Sequence, residues 1–345
     1  MSRGGFLPAS IHDVARAAGV SVATVSRSFT VPDSVATATR ARVLAIAAEL
    51  HYEPNRAARG LITGRTGNVG VIVPDLGNPY FHAVLKGAQA RARRADYAVF
   101  VADGQESATE EEALIRAMRK QVDGIVLCSS RLPAAKLESL ANPPTVVLLN
   151  RRSPECASVE LDSADGMKQA IQHLAELGHR RCVFVSGPRR SWSNQQRQHG
   201  LRAAARAHGI EYEVLGPVAP QFQSGVECAE QVLETGATAV LAYNDLVAVG
   251  ILSRLAELGV RVPEQLSVVG FDDIPLAAMV TPPLTTVSLP TVQAGEAAVE
   301  VLLDRLQNAG AAPPTARKLP ATLVVRGTTG PPPRRAKRTA SRERY

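Results

Sequence analysis

The sequence has no long apolar run. No stretch of 18 or more consecutive apolar residues occurs in its 345 residues, which excludes a membrane-spanning helix. The N-terminus, MSRGGFLPASIHD, lacks the apolar centre of a secretory signal, so a cytoplasmic location is expected. Cysteine is scarce: Cys128, Cys156, Cys182 and Cys228 are scattered with no CxxC, which supports neither a disulfide framework nor a zinc site and suits reduced, buried thiols. Catalytic signatures are missing too. There is no GxSxG, no GxxxxGK[ST], no GxGxxG after a strand and no HExxH. The expectation is therefore a protein that is not an enzyme, with no cofactor, no metal and no membrane partner.

What the chain does have is apolar content of 45% against 21% charged residues, enough for two or three globular domains with a large core. Its net charge of +7 is unevenly placed. Residues 1–65 carry eight arginines against four acids, and residues 331–345 carry six basic residues against Glu343 alone, while the stretch between is slightly acidic. Positive charge at the ends suits a phosphate-contacting head on a nearly neutral body.

The segment SIHDVARAAGVSVATVSR, residues 10–27, is the most informative. Ile11, Val14, Ala15 and Ala18 recur at helical spacing and form one apolar face. Ser10 precedes them with Asp13 three residues on, a pattern in which both side chains can satisfy free backbone N–H groups. Gly19 permits a left-handed turn, and Ser21 can cap a second helix, residues 22–28, whose buried side is Val25. Small Ala15 allows a close crossing. Two short helices so joined make a helix-turn-helix, which lays its second helix in the DNA major groove. The alternative, a plain helical hairpin, matches fewer of these positions.

A third helix is expected over about 37–50, with Val43, Leu44, Ala47 and Leu50 as its apolar stripe. After NRAARGLITGRTG the texture changes. NVGVIVPDL reads as a fully buried strand. Strands are then expected at 97–102, 124–128, 145–149, 182–186, 239–243 and 267–271. Helices are expected at 81–94, 110–120, 163–177, 194–207, 225–234, 245–258 and 291–308. Such alternation means parallel sheets covered on both faces, in two lobes. The tail PPPRRAKRTASRERY has no apolar periodicity, reads as disordered, and contains no leucine heptad that could form a coiled coil.

In order along the chain, DVARAAGVSVATVSR, YEPNRAARGL, NPYF, LGHRR, YNDLVAVG and GFDDIPLA together resemble the LacI/GalR family of transcriptional regulators, over about residues 10–330. The resemblance implies a small all-α helix-turn-helix DNA-binding head, residues 1–53, and a hinge helix and linker, 54–66. It also implies an α/β periplasmic-binding-protein-like core of two doubly wound parallel-sheet lobes, 67–330, for effector binding and dimerisation. Lobe one would take about 67–163 and 291–319, lobe two about 164–290 and 320–330, with a basic tail at 331–345. The partners implied are double-stranded operator DNA of near-palindromic sequence, a second copy of the chain, and a small-molecule effector held between the lobes.

In the head, the resemblance places Val22 and Ala23 at the base-reading positions. Both are small and apolar, able to touch a thymine methyl but unable to make bidentate hydrogen bonds. Arg27 can, to guanine O6 and N7, and is expected to carry the strongest direct readout; its alternative role is a phosphate clamp. Ser21, Thr24, Ser26 and Asn55 are expected to position the DNA backbone, and Arg56 adds charge beside them. Leu61 corresponds to the hinge-helix wedge that opens a base step in the minor groove. Three departures stand out: Gly60 inside the hinge helix, Ala36 where a capping Ser is common, and His51 where a Gly usually ends the third helix.

The effector residues carried over by motif are Asn78, Tyr80, Phe81, Arg131, Asp162, Ser193, Arg197, Asn244, Asp245 and Asp272. Each falls at or just after a strand end, where parallel α/β sheets bind ligands. Aromatic faces beside Asp, Asn and Arg groups suit a polyol or a small polar ring. Arg197 and Asp272 are the leading ligand contacts, the alternative being an ion pair bridging the lobes. Asp272 and Asp273 are adjacent on a strand, so shared metal coordination is not expected. Trp192, the single tryptophan, is a candidate for the cleft mouth. Ser163 stands where Asn is common and Pro220 where an aromatic is usual. The function read from all this is an effector-controlled repressor, with a sugar or sugar derivative as effector; a purine, a nucleoside or a phosphoprotein co-regulator is the alternative. A solute-binding protein without a DNA role is the competing class.

Overall fold

The structure is a computed structural model that describes residues 9–52, 64–139, 145–308 and 316–333. The hinge segment with Asn55, Arg56, Gly60 and Leu61, and the tail from 334, lie outside the described residues. The chain divides into two units at Gly67.

In the first unit, helix α1 spans Ile11–Ala18, α2 spans Val22–Thr30 and α3 spans Thr37–Glu49. Ser10 and Asp13 form the expected capping box at the start of α1. The chain then turns through Gly19 at φ 64°, where the N–H groups of Gly19 and Val20 return to the carbonyls of Arg16 and Ala15. Val14, Ala15, Ala18, Val25, Val43 and Ala47 are the head's core, with Ile11, Val20, Phe29 and Tyr52 around them. Phe29 and Tyr52 meet edge to face at 5.9 Å. Arg40 Nε donates to the Ser28 carbonyl and ties α3 to α2. Ala36 caps α3 without a side-chain hydrogen bond, as its methyl group requires. His51 takes the left-handed position that ends α3, at φ 50°, and the N–H groups of His51 and Tyr52 reach back to Ala48 and Ala47.

The second unit holds two six-stranded sheets. The first contains β1 (Asn68–Val73), β2 (Ala98–Asp103), β3 (Gly124–Cys128), β4 (Thr145–Leu149), β5 (Ala157–Leu161) and β11 (Ala316–Leu319). Their order is β11-β5-β4-β3-β1-β2, all parallel. The second contains β6 (Arg181–Val185), β7 (Glu211–Leu215), β8 (Ala239–Ala242), β9 (Ser267–Asp272), β10 (Thr285–Ser288) and β12 (Thr322–Val324). Their order is β12-β10-β9-β8-β6-β7, parallel except for the β10–β12 pair.

The central strands are buried over all or nearly all of their length, which is why they read as continuous apolar runs. Helices cover them: α4 (Pro79–Arg94), α5 (Ala108–Met118), α6 (Ala134–Ser139) and α12 (Thr291–Gln307) flank the first sheet. Helices α7 (Ser163–Glu176), α8 (Trp192–His208), α9 (Phe222–Glu234), α10 (Asp245–Glu257) and α11 (Pro275–Met279) flank the second. Glycines let α4 and α12 lie almost backbone to backbone: a Cβ on Gly87 would strike the Val292 carbonyl, and one on Gly295 the Val84 carbonyl.

The chain passes between the lobes three times, at 162, at 289–290 and at 320–321. His179, within LGHRR, is fully buried and anchors the last stretch: its ring nitrogens meet Thr238, Ser267 and the Gly330 carbonyl. All four cysteines are buried free thiols, and burial pushes those of Cys182 and Cys228 up to about 12 and about 11. No helix among the described residues is long and apolar enough to cross a membrane.

Candidate nucleic-acid and effector sites

In the head, Ala23, Ser26, Arg27 and Thr30 recur at i, i+3, i+4 and i+7 and share one face of α2. Ala23, Arg27 and Thr30 are exposed, while Val25 and Ser28 turn inward, so the helix keeps an outward face. Ser21 is the N-cap; its hydroxyl accepts the Thr24 N–H at 3.1 Å and lies 2.9 Å from the Thr24 hydroxyl. Val22 is half-buried against the head core, which leaves Ala23 as the more accessible of the two positions assigned to base reading.

In the second unit, a narrow cavity lies between the C-terminal ends of the two sheets and is partly open to solvent. From lobe one it is lined by Asn78, Tyr80, Phe81, Glu106, Ser129, Arg131 and Asn150. From lobe two come Ser193, Arg197, Pro220, Tyr243, Asn244 and Asp272. The reason for this location is topological: parallel strands deliver the loops that follow them to one edge. Six non-glycine residues with positive φ sit on those loops, namely Gln105 and Glu106 after β2, Ser129 after β3, Asn150 after β4, and Asp272 and Asp273 at β9. Strain of this kind persists only where surrounding structure over-determines it.

The side chains are held firmly. Asn78 caps α4 through Oδ1, and Asn244 caps α10 the same way while its Nδ2 reaches the Pro220 carbonyl. Tyr80 and Phe81 pack edge to face at 4.9 Å. The Tyr80 hydroxyl is buried with no hydrogen-bond partner, and burial together with the nearby Asp272 holds it well above the usual phenol range. Arg131 pairs with Glu106 through two contacts, 2.6 and 3.0 Å, and donates from Nη1 to the Ser129 carbonyl. Behind it, Glu111 accepts the Arg131 backbone N–H at 2.8 Å, and burial pushes the Glu111 carboxyl up.

Arg197 lies 3.7 Å from the Phe271 ring centroid and 4.8 Å from that of Tyr243. Its Nη2 donates to Asp272 at 3.0 Å and its Nη1 to the Tyr243 carbonyl. Both partners belong to lobe two, so this ion pair does not bridge the lobes. Burial pushes the Asp272 carboxyl up to about 6 against the pull of Arg197. What does cross between lobes is a buried hydrogen bond from Asn150 Nδ2 to Ser193 Oγ, 2.7 Å long, and beside it Arg151 stands 5.8 Å over the Trp192 ring.

Two residues expected in the cleft are not among its lining. Asp162 caps α7 and pairs with Lys318 at 2.6 Å, because it sits at a chain crossing. Asp245 is fully buried and turned into lobe two, where it accepts from the Ile274 N–H and the Thr286 hydroxyl. Asp273 pairs with Arg326, so the adjacent aspartates diverge, and no metal cluster occurs among the described residues. Trp192 likewise lies beside the cavity rather than in its lining. Motif reasoning missed Glu106, Ser129, Asn150 and Tyr243. Each follows a strand, so strand-end position was the available signal.

Residues 10–55 match the family described as bacterial regulatory proteins, lacI family, and residues 171–329 match the periplasmic binding protein-like domain. The HTH-type transcriptional repressor CytR of Escherichia coli K12 is 34% identical over 331 residues, covering 93% of this chain and 96% of that one. A lac repressor dimer bound to operator and the anti-inducer ONPF superposes with a TM-score of 0.82 at 28% identity, over 94% of this chain and all of that one. A regulator from Enterococcus faecium with bound ribose superposes with a TM-score of 0.68 at 28% identity, over 76% of this chain and 99% of that one. The chain belongs to the LacI family of bacterial transcriptional regulators.

Proposed function

We propose that the chain is a homodimeric repressor, working inside the cell, that binds a near-palindromic operator and is controlled by a sugar or sugar derivative in the inter-lobe cavity. The domains would be the head at 1–53, the hinge and linker at 54–66, the two-lobed receptor at 67–330 and a basic tail at 331–345. The DNA contacts would be Ser21, Val22, Ala23, Thr24, Ser26, Arg27, Asn55, Arg56 and Leu61, with Arg27 reading guanine. The effector contacts would be Asn78, Tyr80, Phe81, Arg131, Ser193, Arg197, Asn244 and Asp272, joined by Glu106 and Asn150. The effector is bound and released unchanged; no turnover is expected.

The observation that carries this reading is the cavity between two sheet edges, where aromatic rings stand beside fixed carboxylate, amide and guanidinium groups. Relatives seen with operator DNA and with ribose support both halves of it. A mobility shift with the gene's own upstream DNA at two salt concentrations tests it. Selective binding that weakens with salt supports the proposal, and no selective binding even at low salt defeats it.

A further inference from the structure

Four charged side chains line the cavity: Glu106, Arg131, Arg197 and Asp272. They come as two closed pairs. Arg131 engages both Glu106 oxygens, at 2.6 and 3.0 Å, with its side chain 6% exposed. Arg197 engages Asp272 at 3.0 Å with 3% exposure, next to the rings of Phe271 and Tyr243. Neither guanidinium can swing toward a ligand without abandoning its carboxylate partner. Just behind, Asp273 pairs with Arg326, and Asp245 sits between two hydrogen-bond donors. Among the described residues, each guanidinium that lines the cavity is therefore paired with a carboxylate.

Two buried polar atoms of the lining are nevertheless uncommitted, one of them on an already paired guanidinium. The Tyr80 hydroxyl is buried, lines the cavity and has no partner. Arg197 Nε is also buried and unpartnered. A buried polar atom left unsatisfied is unfavourable until something supplies its bond. Hydroxyl, ether or amide groups can do so without bringing charge. A phosphate or carboxylate would enter a neutral site and lose hydration with no unpaired cation among the described lining residues to replace it.

We propose, building on the effector reading above, that this cleft selects an uncharged polyhydroxylated ligand and excludes phosphorylated and carboxylated ones. Glu106 is the specificity residue: by occupying Arg131 it denies that guanidinium to an anion. The Arg131–Glu106 pair still presents two N–H groups, enough to bond ligand hydroxyls.

The test compares matched pairs by thermal stabilisation of the full-length protein: ribose with ribose 5-phosphate, glucose with glucose 6-phosphate, adenosine and cytidine with their 5′-monophosphates. The expected result is stabilisation by at least one neutral member, with its phosphate ester weaker on the order of a hundredfold. In Glu106→Gln, which keeps the shape and removes the charge, that gap should narrow about tenfold or more. An ester that binds as well as its neutral partner overturns the proposal and leaves the effector cleft standing. An unchanged gap in Glu106→Gln overturns the assigned role of Glu106. If no member of any pair stabilises the protein, the polyol reading of the cleft fails and the proposal falls with it.

Discussion

Tyr80 brings an unmet hydrogen-bonding group into the cavity lining. Its ring packs on Phe81, while its hydroxyl is buried and unpaired, a state that is unfavourable in the free protein. Tyr80→Phe should leave the free protein as stable or more stable, and should weaken effector binding by about five- to tenfold, a loss of roughly 1 kcal/mol or slightly more. Melting temperature and a ligand titration separate the two effects. Asp272 makes a second prediction, on pH. Its ordinary value is 3.8, and burial raises it to about 6 in the fold, although Arg197 pulls the other way. An acid whose folded value is raised contributes stability that is fully present below the unfolded value and is lost as pH rises through the folded one. Stability should therefore fall from about pH 4 to about pH 6 on this group's account, and Asp272→Asn should flatten that part of the curve in thermal melts. A variant curve as steep as the parent's would remove Asp272 from the explanation. In the head, Arg27→Ala should lower the preference for operator over random DNA by about 1–3 kcal/mol and leave effector affinity unchanged. Equal loss on both DNAs would mean that Arg27 only grips phosphate.

At the scale of elements, the end of α3 is a local weak point. His51 occupies a left-handed position that glycine fills without a steric penalty. His51→Gly should raise the head's stability by up to about 1 kcal/mol, read as a shift in its unfolding midpoint. A fall in stability would show that the His51 side chain makes a favourable contact. The same scale shows which elements are legible in the sequence. The buried strands β3 and β4 were read to the residue, since continuous apolar runs bounded by turn residues have few other meanings. The capping box of α1 and the turn at Gly19 were equally plain. Strand β7, EYEVL, was not: it is a mostly exposed edge strand, and its charges break the apolar pattern. Strands β11 and β12 are short, polar and defined only by the partners they pair with. The cleft followed a similar rule. Asn78, Tyr80, Phe81, Asn244 and Asp272 lie in recognisable motifs and line the cavity, whereas Tyr243 carries no separate signal within YNDLVAVG and Glu106 lies in a strained loop whose position only the three-dimensional fold determines. Asp162 and Asp245 carry the right chemistry, but both lie outside the cavity lining and are engaged in local hydrogen bonds and an ion pair.

At the scale of the whole molecule, the receptor unit is two sheets tied by three chain crossings, with the Asn150–Ser193 hydrogen bond and the Arg151–Trp192 contact reaching across the cleft. A ligand held by both lobes must favour one lobe angle over another, and that differential is what can be transmitted. Linkage then requires reciprocity: if effector changes operator affinity, operator changes effector affinity by the same factor. The most direct measurement is therefore a paired titration of the full-length protein, operator with and without effector, and effector with and without operator. Equal factors of about 5- to 150-fold in the two directions are predicted. Operator affinity indifferent to a saturating effector would contradict the account.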